Sequence, residues 1–494
     1  MSKGIISTHV YILPFAWELK SRHGRGTLKQ HKQMDHPILY KLESWEQQEF
    51  HIEDEKAYNE YVYFYKPALQ MLYPIQNQKL VRTYKKMGTQ PNSTLILTVE
   101  KKNYELKLRW IELRLYKSGV GTLTLHCENY NEDTPEDVMA INSLSKCVYP
   151  YLLPLSAAHK DLFPEQVIIK LDSKNQMIEN FTEDYREKPM CMISLIRQLF
   201  GESFVFEYNF LKQDKIFVEP LLGNRMFVLC VYNNQDLLNQ IKSEQVSKRF
   251  LNSFILFSRR EKLREGESYL DLPKVVYGMS RFSLVCITAS RKETKLYNHI
   301  VLLALVQKAS LLHFGNQIAR IAEFPKVELV QAIENLYEVY IQFISQMHFN
   351  EVTVDVQGSY IYNELLKQLT VTKEIKELDF EMQEMHEYAA LIDQAQSKGK
   401  MDFLTIVGTA LVIPTFVTGF FGMNILEEKF MDWWKHKEII LWFNSYAILP
   451  VCMVLLVYSL WNKKSRKSRL IRTILLTISL ICIFVLIKWG CGIS

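Results

Sequence analysis

FLTIVGTALVIPTFVTGFF, Phe403 to Phe421, closed by Gly422-Met423-Asn424, is the stretch on which the reading of this chain turns. It is uncharged over about 19 residues, and a helix rising about 1.5 Å per residue spans roughly 28 Å with it, one bilayer core. Two more apolar runs follow, Ile439–Trp461 and Leu470–Trp489. The expectation is helices in a lipid bilayer at 403–421, 439–461 and 470–489, the last either spanning or lying as an interfacial or re-entrant segment. Lys398 and Lys400 precede the first run, and the loop Ile425–Glu438 mixes lysines with acids. The loop Asn462–Arg472 instead gathers Lys463, Lys464, Arg466, Lys467, Arg469 and Arg472. Basic loops stay on the cytoplasmic side, where lipid head groups meet them. A multi-pass protein of the cell's inner (plasma) membrane is expected, with its large N-terminal part cytoplasmic and Gly422-Met423-Asn424 outside.

Composition excludes several classes. The net charge of +5 over 494 residues is too small to argue for a nucleic-acid duplex as partner. The 8 cysteines form no C-x-x-C pair and read as small buried hydrophobes in a reducing compartment. The 12 histidines are scattered, and no Walker loop, dinucleotide fingerprint or H-E-x-x-H appears. No catalytic residue is assigned, the chain is not read as an enzyme, and no organic cofactor is expected. The run Arg259-Arg260-Glu261-Lys262-Leu263-Arg264 reads as a solvated face, with anion binding as the alternative.

Before the apolar runs the chain divides by pattern. Residues 1–292 read as an α/β domain. Thr8–Trp17 is rich in β-formers, and Tyr104–Tyr116 alternates with a phase switch near Trp110 of the kind a bulge produces. Ser118-Gly119-Val120-Gly121 signals a hairpin. Further strands are expected at Val167–Leu171, Met226–Val231 and Leu284–Thr288, and helices at Pro135–Leu144 and Asp236–Ser253. Residues 293–402 turn helical, over Tyr297–Phe314, Val327–Met347 and from Val371 onward. In that last helix Ile375, Leu378, Met382, Met385, Ala389, Ile392 and Gln396 recur at three- and four-residue steps, a coiled-coil-like seam. Residues 403–494 form the membrane part.

Within Phe403–Gly422, Leu404, Gly408, Leu411 and Val412, Thr415, Thr418 and Gly419, and Gly422 fall on one stripe. Small residues on a stripe let helices approach closely, which is also what ordinary packing between membrane helices uses. The asparagine that ends the stripe adds a second reading. Magnesium gives up water reluctantly, so amide and hydroxyl oxygens hold it through its first hydration shell.

A long hydrophilic segment, an apolar helix ending in Gly-Met-Asn, a short loop and another apolar helix resemble the CorA family of divalent-cation channels. The resemblance is specific over about Ile375–Lys464 and architectural before it. It implies a funnel-shaped homopentamer: an α/β cytoplasmic domain, a long stalk helix and a helical transmembrane domain whose first helix lines the pore. It implies that Gly422, Met423 and Asn424 form the selectivity filter, with Asn424 binding the metal through the hydrated ion. Leu404, Gly408, Val412, Thr415 and Gly419 would line the pore, Leu404 and Val412 as its hydrophobic constrictions. Glu427 and Glu428 stand in for the acidic Met-Pro-Glu-Leu loop element that many members carry and this chain lacks. Pro414 is one residue off the family's spacing, Phe421 replaces the usual tyrosine, and the third apolar segment is a departure. Mg²⁺, transported or regulatory, is the ion expected. The resemblance carries two functional expectations. One is passive Mg²⁺ conduction gated by the cytoplasmic domain. The other is a type III CRISPR-associated effector gated by a nucleotide second messenger, such as an adenosylmethionine-AMP conjugate, whose binding residues the sequence leaves unknown.

Overall fold

The N-terminal strand organises the molecule because it is long, β-branched and aromatic, and because it reaches three partners. β1 (Ser7–Lys20) runs antiparallel to β6 (Val120–Asn129) along one side. On its other side it pairs first with β11 (Phe227–Asn233), through Ser7–Ile12, and then with β10 (Lys215–Pro220), through Phe15–Lys20. Pro14 lies at the changeover, where its missing N–H interrupts neither outer ladder. In this computed structural model the described residues are 4–20, 33–74, 80–150, 162–172, 175–181, 192–207, 214–256, 268–272, 275–289, 294–422, 448–449, 451, 476–484 and 487–488.

Among them the strands form a 14-stranded mixed sheet. From one edge its order is β12 (Ser268–Leu272), β13 (Val275–Ser280), β14 (Ser283–Thr288), β11, β1, β6, β5 (Lys102–Tyr116), β4 (Thr94–Val99), β7 (Pro164–Lys170) and β8 (Gln176–Asn180). β10 carries β9 (Phe204–Val205), and β5 also pairs with β3 (Val81–Lys86), which carries β2 (Trp45–Gln48). The pairs β11–β14 and β10–β9 are parallel, and the other pairs are antiparallel. The phase switch in β5 is real: its register with β6 shifts between Leu108 and Trp110. The hairpin is real too. Gly119 adopts φ +82°, and a Cβ at Gly121 would lie 2.4 Å from the Phe15 ring. Trp17 Nε1 donates to the carbonyls of Tyr116 and Val120, at 3.1 and 3.0 Å, fastening the turn.

Helices α1 (Glu55–Val62), α2 (Lys66–Leu72), α3 (Pro135–Asn142), α4 (Ser194–Phe200), α5 (Gln235–Lys242) and α6 (Lys248–Leu256) surround the sheet. The caps are where short polar residues predict them. Asp54, Thr134 and Asn234 accept from the third backbone N–H of α1, α3 and α5. The expected helix over 236–253 is two helices, because Glu244 turns left-handed at φ +56° and ends α5. One face of β5 and β6 is apolar: Leu106, Ile111, Leu113, Leu123 and Leu125 belong to the main core, with Val138 and Ile141 of α3 and Leu195 and Leu199 of α4. The opposite face carries Glu112, Arg114, Thr122, Thr124 and His126.

The helical region begins with α7 (Thr294–Ala322), which packs on β1, β6 and β11. α8 (Lys326–Gln346), α9 (Val356–Gln368) and α10 (Val371–Gly422) follow. The expected helices over 297–314 and 327–347 are both present. α9 was not anticipated, because its apolar spacing is interrupted by Gly358, whose N–H goes to the capping Asp355 at 2.7 Å. The chain divides into two compact units, Met1–His386 and Glu387–Ser494.

The transmembrane expectation is corrected. Among the described residues no helix is long and apolar enough to cross a membrane. The apolar part of α10 is preceded by Lys398, Lys400 and Asp402. The segments 439–461 and 470–489 lie almost wholly outside the described residues. The funnel-shaped homopentamer with a helical transmembrane domain therefore gives way to a mixed-sheet domain followed by helices.

Candidate cation path on α10

α10 is set by its own first turns. Thr370, between α9 and α10, is left-handed at φ +58°, a costly conformation for a β-branched residue. Its hydroxyl donates to Glu374 Oε1 at 2.8 Å, and Lys308 of α7 pairs with the same carboxylate. Along the first unit's part of α10, Ile375, Leu378 and Met382 of the expected seam are buried. Tyr340 of α8 donates to Asp379, and the rings of Tyr337 and His386 stack with centroids 4.3 Å apart. Burial and the Asp379 carboxylate both push the Tyr340 hydroxyl well above its usual range, so it stays a donor.

In the second unit Leu404, Gly408, Val412, Thr415 and Gly419 all lie on α10, and Gly422 is its last residue. Leu404 and Val412 are exposed, and nothing lies within 4 Å of a Cβ built at Gly408 or Gly419. Pro414 sits inside the helix without ending it. Four threonines here bend their hydroxyls back onto the helix. Thr405, Thr409 and Thr415 donate to the carbonyls of Met401, Thr405 and Leu411, at 2.9, 2.8 and 2.7 Å. Thr418 donates to the carbonyl of Pro414 at 2.8 Å. A hydroxyl whose proton is committed this way presents its lone pairs outward as an acceptor. That polarity suits the water protons around a hydrated cation. Met423, Asn424, Glu427 and Glu428 lie outside the described residues, as do Arg259 to Arg264. Among the described residues no group of three or more His, Cys, Asp or Glu side chains is placed to hold a metal ion directly.

A family model described as "CorA-like Mg2+ transporter protein" matches residues 316–458, from the end of α7 through all of α10. Over this region the chain is similar to the CorA-like Mg²⁺ transporters. The match covers under a third of the chain. No curated protein and no solved structure matches the chain. CorA-like proteins are transporters rather than enzymes; divalent cations are their cargo, and they are typically oligomeric and associated with membranes.

Outside the CorA-like region the structure shows two sites that the sequence pattern did not. The polar face of β5 and β6 is a buried charged layer. Arg114 Nε donates to Glu112 at 2.5 Å; burial pushes the Glu112 carboxyl up, but this guanidinium outweighs it and holds the carboxyl ionised. Glu60 of α1 takes Lys295 at 2.6 Å and the Tyr73 hydroxyl at 2.7 Å, with His299 Nδ1 at 3.3 Å. Burial keeps His299 neutral, well below the usual histidine range, and the charges of Arg114 and Lys295 add to that. The second site is an open cleft of about 1230 Å³ beside α4, in which Lys86 is the buried charge. No spacing rule marks either site, because their members come from elements far apart in sequence.

Proposed function

We propose that this protein carries divalent cations, Mg²⁺ foremost, passively down their gradient. The path runs along Leu404, Gly408, Val412, Thr415 and Gly419 to Gly422-Met423-Asn424. One stripe cannot enclose a path, so several copies contribute one each, at a membrane. The apolar positions Leu404 and Val412 narrow it, the Thr415 hydroxyl accepts from the ion's water shell, and the Asn424 amide selects at the end. Glu427 and Glu428 add a negative field there, and the N-terminal unit governs opening. The observation that carries this reading is the CorA-like match, which contains the whole stripe and the Gly-Met-Asn tripeptide.

The test is Mg²⁺ entry into liposomes holding the full-length protein. Thr415→Val is expected to lower flux about tenfold, equivalent to about 1.4 kcal/mol of barrier, without changing oligomer size. Asn424→Ala is expected to change the Mg²⁺ to Ca²⁺ ratio. Absence of wild-type flux, or loss of the oligomer in Asn424→Ala, would sink the assignment. The trigger is read in the same vesicles: flux set by Mg²⁺ inside supports ion sensing, and flux that starts only on adding an adenine nucleotide supports the messenger-gated effector.

A further inference from the structure

We propose that the cleft beside α4 binds a small organic acid, its acid group on the Lys86 ammonium and its apolar body against Phe204 and Phe206. The cleft is lined by β3, α4, β8 and β9, all in the N-terminal unit. Lys86 ends β3 and is 6% exposed. Its Nζ donates to the carbonyl of Leu199 at 2.6 Å and lies 4.9 Å from the centre of the Trp45 ring. An ammonium has three donors, and among the described residues no carboxylate pairs with this one. Burial lowers its pKa to about 8. A buried cation without an anion is a standing cost that a ligand's acid group recovers.

The surroundings leave a way in. Gly201, at the end of α4, has φ +89°, and a Cβ there would sit 3.9 Å from Lys86 Nζ and 3.6 Å from the Glu43 carbonyl. A side chain at this position would narrow the approach to the ammonium. The carboxylates that line the cleft, Glu43, Glu202 and Glu207, are exposed at its rim, where water and salt screen them. The apolar wall is built: Phe204 is buried, Phe206 meets the Phe200 ring with centroids 5.6 Å apart, and Arg197 lies 5.8 Å from the Phe206 centre. A flat group entering beside Phe206 meets an aromatic and a guanidinium plane together.

Calorimetric titration of the full-length protein with benzoate, phenyl phosphate and inorganic phosphate tests this. One aromatic acid is expected to bind saturably and to weaken at least tenfold in Lys86→Met and in Phe206→Ala. Stronger benzoate assigns a carboxylate ligand, and stronger phenyl phosphate a phosphate ester. Because Lys86→Met removes a buried group, acylation of the wild-type protein by acetic anhydride gives an independent reading. Mass mapping should show Lys86 labelled, and its labelling slowed by the saturating acid. No saturable binding of either aromatic acid, equal binding in Lys86→Met, or labelling indifferent to the acid would overturn the proposal.

Discussion

The two ends of α10 are one helix in two chemical settings. Toward its start, Leu378 and Met382 are buried, and Glu374, Asp379 and His386 each meet a side chain of α7 or α8. Toward its end, Leu404 is 70% exposed, and Leu411 and Val412 are exposed with it. Helical backbone bonding is the same at both ends, so the difference lies in who covers the side chains. The first end is completed by its own chain. The second presents exposed apolar side chains beside threonine hydroxyls that act as acceptors. Stability and transport are therefore expected to separate along a single helix.

The largest effect should come from acid, acting on the N-terminal unit alone. Burial holds His9, His126 and His313 at about 4. In the unfolded chain they titrate near 6.5. Between these values the unfolded state binds more protons, so their contribution is fully present above about pH 6.5 and is lost as pH falls toward 4. By pH 5 each has lost on the order of 2 kcal/mol of that contribution. Hydrogen exchange should show β1 and β6 peptides losing protection at pH 5 relative to pH 7.5, while peptides from the end of α10 do not. Equal loss in both would erase the contrast.

Two identical substitutions sharpen it. Leu378→Ala, at a site 6% exposed, should cost about 2–5 kcal/mol, read as a fall in denaturation midpoint. Leu404→Ala should stay within about 0.5 kcal/mol in detergent-solubilised protein, while changing Mg²⁺ flux. A stability loss at Leu404 matching that at Leu378 would mean the far end is covered by its own chain after all.

Much of the first unit was legible. β5 and β6 follow from alternation, β1 from its β-formers, β7, β11 and β14 from short strand-like runs, the hairpin from Gly119 and Gly121, the bulge from the switch at Trp110, and the start of the seam from Ile375, Leu378 and Met382. These signals are local, and periodicity records them. The branching of the sheet was not legible, because nothing in β1 states that it changes partner at Pro14. Nor was the charged layer under α7, whose Glu60, Glu112 and His299 come from three separate stretches. On α10 the stripe was readable, but the direction of the threonine hydroxyls was not, since that is set by the carbonyl one turn back. The membrane expectation came from three apolar runs, their basic flanks and the family resemblance, and run length does not establish a spanning helix.

The three-partner strand also sets a timetable for synthesis. β1 leaves the ribosome before β6, β10 and β11, the partners its ladders need, the last ending at Asn233. At about 5–20 residues per second the wait for β11 is roughly 10–40 s, during which the β10 and β11 side of Val10-Tyr11-Ile12-Leu13 and Phe15-Ala16-Trp17 stays unpaired. Long-range pairing of this kind folds slowly and leaves a sticky strand exposed. The order of synthesis thus leaves one side of β1 open until the middle of the sheet has been made.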